Sequence, residues 1–445
     1  MTRRHQAIAA LATLTVIVTA VVVLVVTRGQ GPSSTSLPGY TPAPSTPGAT
    51  PPPASSAGPT VDVARRLADI LDDMHTHAFN PAAPPTKGSD LSGGLFINWR
   101  GTWDGDLTTA SDNTNLQTSG LSDDQTGATS RHDPVVDLMY LRNLRAYMHD
   151  FPSDHSFDQD AARMDPIVRA EFAGYTYYRS WIYFQMRDLD RFQPGAGWDR
   201  MAHTFADAVY RNFYNAAAGT VVDKSHNNYR TDFTAESAAV FADAGARYGE
   251  PQLTAAARST AQHLIAHAQD PTTHLYPLQM GIGAGPDTVQ QAQIKVGAEA
   301  QLLESLLTVY DHLGDPAILT AVRLAVEELY SPQLGLWDTQ HGGFFFSVDA
   351  DGQGLQRAYK ESRQAWVLDL LRHLDRDAGG QAQRIAAMTA VVVDSLYQKD
   401  LEGYVYRVSP SFAVFHTGNG PDHTGVDEDF VTSEAMGIAG NMLAP

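Results

Sequence analysis

Residues His341 to Trp366 read HGGFFFSVDADGQGLQRAYKESRQAW, and the way this stretch folds decides how the rest of the chain is read. Gly342 and Gly343 open a short aromatic strand from Phe344 to Val348. Asp349-Ala350-Asp351-Gly352 then turns it back, because glycine takes a positive φ without steric cost. Downstream, Tyr359, Arg363 and Trp366 recur at i, i+4 and i+7, and Val367, Leu370 and Leu371 extend the apolar face. That spacing predicts a helix over 358–375. A hairpin therefore feeds a helix start, with Lys360, Glu361 and Arg363 in first turns whose backbone N–H groups lack intrahelical partners.

Looser versions of this pattern recur. Helical spacing covers 61–77, 133–150, 165–190, 198–214, 232–248, 252–268, 293–312, 316–331, 358–375, 380–397 and 427–443. Strand-like pieces lie between them at Gly93–Trp99, Thr220–Tyr229, Leu275–Met280, Gly342–Val348 and Gly403–Val408. From residue 198 onward tight turns such as Gly314-Asp315-Pro316 alternate with long hairpin links, and helix pairs recur at roughly sixty-residue spacing. A helix pair cannot cover its own apolar face, so the pairs must stack. About six such pairs close into an all-α (α/α)6 toroid with the hairpin links gathered at one end. Strict alternation of inner and outer helices demands one more helix before residue 198: either 151–164 hides a short helix or the stretch at 165–190 is two helices, and a short or degenerate outer helix near Phe157–Met164 is the favoured reading.

The segment GGFFFSVDADG followed by YKESRQAW resembles the hairpin-plus-helix unit of the six-hairpin glycosidase superfamily. Within it, the similarity is to the N-acylglucosamine 2-epimerase-like branch, where Gly-Gly-aromatic, an Asp-x-Asp/Glu-Gly turn and a Lys-led helix start recur. This chain departs from that branch in carrying Glu361-Ser362-Arg363-Gln364 where many epimerases place Trp and Gln soon after the Lys. The resemblance implies a toroid over 61–445 and a carbohydrate ligand.

Composition narrows the chemistry. The 445 residues are 43% apolar, which is ample for a large core, and the formal net charge of −19 argues against a nucleic-acid partner, since phosphate binding needs basic surface. With no cysteine there are no disulfides, thiolate metal sites or cysteine nucleophiles. Arg3, Arg4 and His5 precede an uncharged run from Ala7 to Val26, long enough at 1.5 Å per residue to span roughly 30 Å of hydrocarbon. Residues 1–30 thus read as a cytoplasmic stub plus a single transmembrane signal-anchor, with membrane contact through 7–26. A cleaved signal peptide and secretion is the competing reading. Residues 31–60 are Pro-, Ser- and Thr-rich with almost no charge, a disordered spacer that would hold an extracytoplasmic domain off the membrane.

Candidate site residues sit where hairpins meet helices. Asp422, Asp427, Glu428 and Asp429 crowd one helix start, and Asp232 stands at another with Glu236 a turn behind it. Glycosidic cleavage needs one carboxyl to protonate the leaving oxygen and another to attack or activate water, so Asp427, Asp429 and Asp232 are the expected catalytic groups. His226, Tyr229, Lys360, Arg363, Trp103 and His132 are the expected sugar contacts, through hydroxyl bonding and ring stacking. The bland alternatives are helix caps for Asp232 and for Asp133 before Pro134, and loop anchors for Trp99 and Trp103. Asp422, His423, Asp427 and Asp429 match no strong metal-ligand spacing, no nucleotide loop is present, and no cofactor is expected. The expectation is a glycoside hydrolase, with a sugar 2-epimerase or isomerase, or a non-catalytic glycan-binding envelope protein, as alternatives.

Overall fold

The computed structural model describes residues 61–78, 98–100, 134–173, 179–223, 226–283, 286–415 and 430–444. Among these residues run twelve α-helices: α1 (Val63–Asp73), α2 (Pro134–Asp150), α3 (Asp158–Phe172), α4 (Ile182–Phe192), α5 (Trp198–Phe213), α6 (Thr231–Tyr248), α7 (Pro251–His267), α8 (Val296–Leu313), α9 (Pro316–Leu329), α10 (Trp366–Ala378), α11 (Ala382–Ala390) and α12 (Ser433–Leu443). The even-numbered helices form an inner ring, packing closely on one another everywhere but between α4 and α6, and the odd-numbered ones pack outside. Helix α6 shows why it lies inside: Ala235, Ala238, Ala239, Ala242 and Ala244 make it small and apolar nearly all round, and almost every residue is buried. Helices α4 and α6 are tied by Ser180 to Ser237, 2.6 Å apart, and by the Tyr183 hydroxyl donating to Asp243.

The ring closes through its last helix. Helix α12 packs against α2 and α10, and its outer partner is α1, from the other end of the folded region. Gly437 and Gly440 form the seam. A Cβ at Gly437 would meet Met139 Sδ at 3.0 Å, and one at Gly440 would overlap the Asn143 amide. That amide instead donates to the Gly437 carbonyl at 3.1 Å.

Tight connections return each inner helix to its outer partner, as where Asp315 caps α9 by accepting from the Ala317 N–H at 3.0 Å. Long links lead from each outer helix to the next inner one, and short antiparallel strand pairs stitch them together. Asn228–Arg230 pairs with Gln279–Gly281, Gln293–Lys295 with Ser347–Asp349, Lys360–Glu361 with Arg407–Val408, and Asn98–Arg100 with Phe430–Thr432. Pairing from link to link holds these hairpins at one end of the toroid.

Several boundaries differ from the sequence expectation. The helix expected over 165–190 is two helices, α3 and α4. Helix α3 starts at Asp158 and carries Pro166 in its interior, so the missing outer helix extends well beyond Phe157–Met164. The helix expected from residue 358 begins at Trp366 instead: Lys360–Glu361 is a strand, because it finds a backbone partner in Arg407–Val408, and Ser362–Ala365 is a 3-10 turn. The strand Phe344–Val348 pairs regularly only at Ser347–Asp349, with a single bridge at Phe344. The Asp349–Gly352 turn is present, with the Gly352 N–H on the Asp349 carbonyl at 2.8 Å and Gly352 at φ +80°. No helix among the described residues is long and apolar enough to cross a membrane, and residues 7–26 lie outside them.

Glycine at 440 is required by proximity to Asn143 and not by helix propensity, which favours alanine by about 1 kcal/mol. Gly440→Ala should therefore lower the unfolding free energy in urea by about 1–3 kcal/mol. Leu324→Ala, on an exposed face, should stay within about 0.5 kcal/mol of wild type. Equal midpoints for the two variants would contradict this account of the seam.

Candidate functional site

Because the inner helices run parallel, their N-termini meet at the hairpin end, and each brings charge there. Arg179 and Trp181 precede α4, Asp232 is the second residue of α6, Lys295 precedes α8, Arg363 precedes α10, and Glu434 is the second residue of α12. Arg179, Trp181, Asp232, Phe233, Arg363 and Glu434 line one narrow slot of about 10 Å³, room for little more than a water molecule.

Ion pairs organise the slot. The Arg363 guanidinium donates to Glu434, whose carboxylate also lies 3.9 Å from Arg179. Arg230 grips Asp232 with two bonds, 3.1 and 2.5 Å, and lays its guanidinium 4.0 Å over the Phe233 ring. Burial works against the charge on Arg363, yet Glu434, Tyr406 and Glu361 outweigh it and hold the guanidinium firmly protonated. Such a buried network loses about 3–5 kcal/mol when one partner alone is removed.

Behind Asp232, the Glu236 side chain is 1% exposed, and its oxygens make no well-formed hydrogen bond among the described residues, with only a weak approach to the Trp181 amide. Desolvation pushes its pKa far up, Asp232 pushes it further, and Arg179, the Trp181 amide and Arg230 only partly oppose this. Glu299 on α8 is also raised by burial, with the Tyr276 N–H at 3.3 Å as a partial offset. A carboxyl kept protonated at neutral pH is a proton donor in waiting.

The structure brings together some expected site residues and separates others. Asp232 and Arg363 share the slot. Lys360 does not: it is fully buried, and its three donors are used on Asp338 at 2.9 Å, the Gly342 carbonyl at 2.5 Å and the Pro410 carbonyl at 2.6 Å. It clamps the hairpin and has no N–H left for a sugar. Tyr229 is fully buried and donates to Asp287 at 2.8 Å, beside His263, so its ring presents no face to the slot. His226 is exposed and bonded to Asp223 at 2.8 Å, away from the slot lining. Asp427, Asp429, Trp103 and His132 lie outside the described residues.

Glu434 and Arg179 escaped the sequence reading. A usable signal did exist: Thr231-Asp232 and Ser433-Glu434 put an acid at the same second position of two inner helices. A cavity of about 830 Å³ lies away from this end. It fills the lumen from Trp181 and Trp366 to the opposite mouth, where α12 ends and α1 begins.

The sequence matches no protein-family model, and it matches no curated protein. The fold has clear counterparts among solved structures. One is a D-mannose isomerase, with a TM-score of 0.56, 10% identity, and alignment over 86% of this chain and 96% of that one. Another is the GH76A α-1,6-mannanase of Salegentibacter sp. HEL1_6, with a TM-score of 0.55, 10% identity, and 86% and 98% covered. A third is an unsaturated glucuronyl hydrolase specific for heparin, with a TM-score of 0.59, 11% identity, and 86% and 95% covered. The architecture is thus the α/α toroid that these solved structures share, which is the fold the resemblance at Gly342–Trp366 implied.

The buried acids give stability a definite pH dependence. Glu236 and Glu299 hold protons more tightly in the folded chain than at the ordinary carboxyl value of 4.5. The native state therefore binds more protons than the unfolded one above that pH, and stability falls as pH rises from about 4.5 toward the folded values. Urea unfolding from about pH 5 to pH 8 should show a steeper decline in wild type than in Glu236→Gln. Parallel slopes would mean that Glu236 ionises freely in the fold.

Proposed function

We propose that this chain is an extracytoplasmic, membrane-tethered glycoside hydrolase acting on a neutral oligosaccharide. The observation that carries the reading is the convergence of Asp232 and Glu434 with Arg179 and Arg363 at the hairpin end of a toroid, with Glu236 one helical turn behind Asp232. An unsaturated glucuronyl hydrolase and an α-1,6-mannanase share that toroid. A net charge of −19 favours a neutral glycan over a polyanionic one.

In this reading a carboxyl that keeps its proton at neutral pH donates it to the leaving oxygen, and an ionised one attacks the anomeric carbon or activates water. Glu236 has the environment of the first kind. Asp232, Asp427 and Asp429 are the candidates for the second, the latter two lying in the link just before α12. Arg179 and Arg363 orient hydroxyls and pair with the Glu434 carboxylate. The likeness to a D-mannose isomerase supports a second reading, a sugar isomerase. That chemistry needs a base to move a proton beside a carbonyl. Among the described residues the slot's lining holds carboxylates and arginines but no histidine, and Lys360 is fully engaged elsewhere.

Asp232→Asn, Asp427→Asn and Asp429→Asn, tested on α-1,6-mannooligosaccharides and related neutral glycans, should each lower kcat by about a hundredfold or more with unchanged circular dichroism. Undiminished rates in all three would remove the assignment. Solvent deuterium appearing at C2 of a monosaccharide would establish isomerisation instead, and saccharide binding with no product from any glycan would leave a lectin-like role. The tether is tested separately. The full chain should sediment with membranes and a chain lacking residues 1–30 should not, whereas a mature N-terminus beyond residue 26 by mass spectrometry would show a cleaved signal.

A further inference from the structure

Trp181 and Trp366 line both the hairpin-end slot and the lumen cavity and so part the two. Away from both, two trios of metal-ligating side chains stand among the described residues: His203, Asp207 and Glu250, and Asp311, His373 and Asp377. In each trio the residues offer ligand atoms that all lie within 4.8 Å of one another. The second trio is already neutralised. Arg376 donates to both Asp311 and Asp377, and His373 spends its two ring nitrogens on Glu304 at 3.1 Å and Asp311 at 3.2 Å.

The first trio has no such clamp. His203 and Asp207 stand four residues apart on α5, so they project side by side from one face. Glu250 comes from the tight turn between α6 and α7. It holds the N-cap position of α7, yet its carboxylate makes no capping bond. One of its oxygens meets His203 Nε2 at 2.6 Å, and the other accepts from Gln252 at 3.1 Å. The His203 ring is fixed by stacking on Tyr248, with centroids 3.9 Å apart and planes 20° apart. Among the described residues Asp207 is charge-paired only with Arg211, 3.6 Å away and itself largely exposed. Two carboxylates are thus held together beside one imidazole. The surface is open enough for an ion to enter, since the His203, Asp207 and Glu250 side chains are 37%, 36% and 21% exposed.

We propose that His203, Asp207 and Glu250 bind a zinc ion on the outside of the toroid, tying α5 to the turn between α6 and α7. One imidazole nitrogen with two carboxylate oxygens is a donor set suited to zinc, whereas calcium and magnesium prefer oxygen alone. Tetrahedral zinc with bonds of about 2 Å sets its ligands about 3.3 Å apart, a spacing that side-chain rotation reaches from the present arrangement. Water completes the coordination. The ion offsets the repulsion between the two carboxylates. It also adds a link where packing supplies little: α5 packs on α4 and α6, and α7 on α6, but α5 and α7 have little direct contact. The site is independent of the hairpin-end reading and stands whether or not that end cleaves glycans.

The test is calorimetric titration of the full chain, stripped with a chelator, with zinc chloride. Zinc should bind with a dissociation constant of about 10 μM or below, and calcium chloride at least about a hundredfold more weakly. His203→Ala and Asp207→Asn, checked for fold by circular dichroism, should each weaken zinc at least about tenfold. Asp207→Asn is the sharper variant, because a plain ion pair between His203 and Glu250 does not use Asp207. Saturating zinc should also raise the midpoint of thermal unfolding in wild type but not in His203→Ala. His373→Ala, in the other trio, should leave zinc binding unchanged. The proposal is overturned by no zinc binding at about 1 mM. It is equally overturned by undiminished affinity in His203→Ala and Asp207→Asn, which would mean an adventitious ion only, or by loss of binding in His373→Ala alone.

Discussion

The close approach of α12 to α2 is the constraint on which the remaining features depend. Six parallel inner helices can bring their N-termini to one place only if the ring is shut, and the last contact to form is the one where Gly437 and Gly440 lie against Met139 and Asn143. Two missing side chains permit it, and the Asn143 bond to the Gly437 carbonyl fixes its register. An open arc would leave Glu434 remote from Arg179, and Asp232 would face solvent instead of a shared slot.

Closure also explains the unusual electrostatics of the lumen. The inner wall of a toroid is apolar by the same rule that buries any helix stripe, so a carboxyl that points inward loses water and gains little in return. Glu236 and Glu299 are in that position, and the fold tolerates them as neutral acids. Nearer the hairpins the acids have arginine partners, Arg230 for Asp232 and Arg363 for Glu434. The lumen thus grades from neutral acids in the wall to ion pairs at the hairpin end, with the tryptophan pair separating that end from the far cavity.

Much of the architecture was legible in the chain, and the failures have physical reasons. The alternation of tight turns and hairpin links identified the paired helices from residue 198 onward, because Gly, Pro and Asp punctuate them. The run at 165–190 deceived because Pro166 looks like a helix start, whereas Asp165 and Pro166 lie inside α3. Tyr359, Arg363 and Trp366 have helical spacing by coincidence: Lys360 and Glu361 are held extended by Arg407 and Val408, a partner some forty-five residues away that periodicity cannot see. The site was half legible. Asp232 and Arg363 could be picked as charged groups at helix starts, but Lys360 looked the same in sequence and proved to be an internal clamp. Glu434 acquires meaning only beside Arg363 and Arg179, and no local pattern announces such a meeting.

The sixth helix pair is assembled from opposite ends of the folded region, α1 near its beginning and α12 at its close. A ribosome or export channel releases α1 long before α12 exists, so the apolar face of Leu67, Ile70 and Leu71 must wait for its cover while hundreds of residues emerge. Such a non-local closure makes acquisition of the native state slow and late, and it leaves an incomplete ring with exposed, adhesive surface in the interval. With no cysteine there is no disulfide to hold the two ends together in that interval, so the seam of α12 against α1 and α2 must form by packing alone.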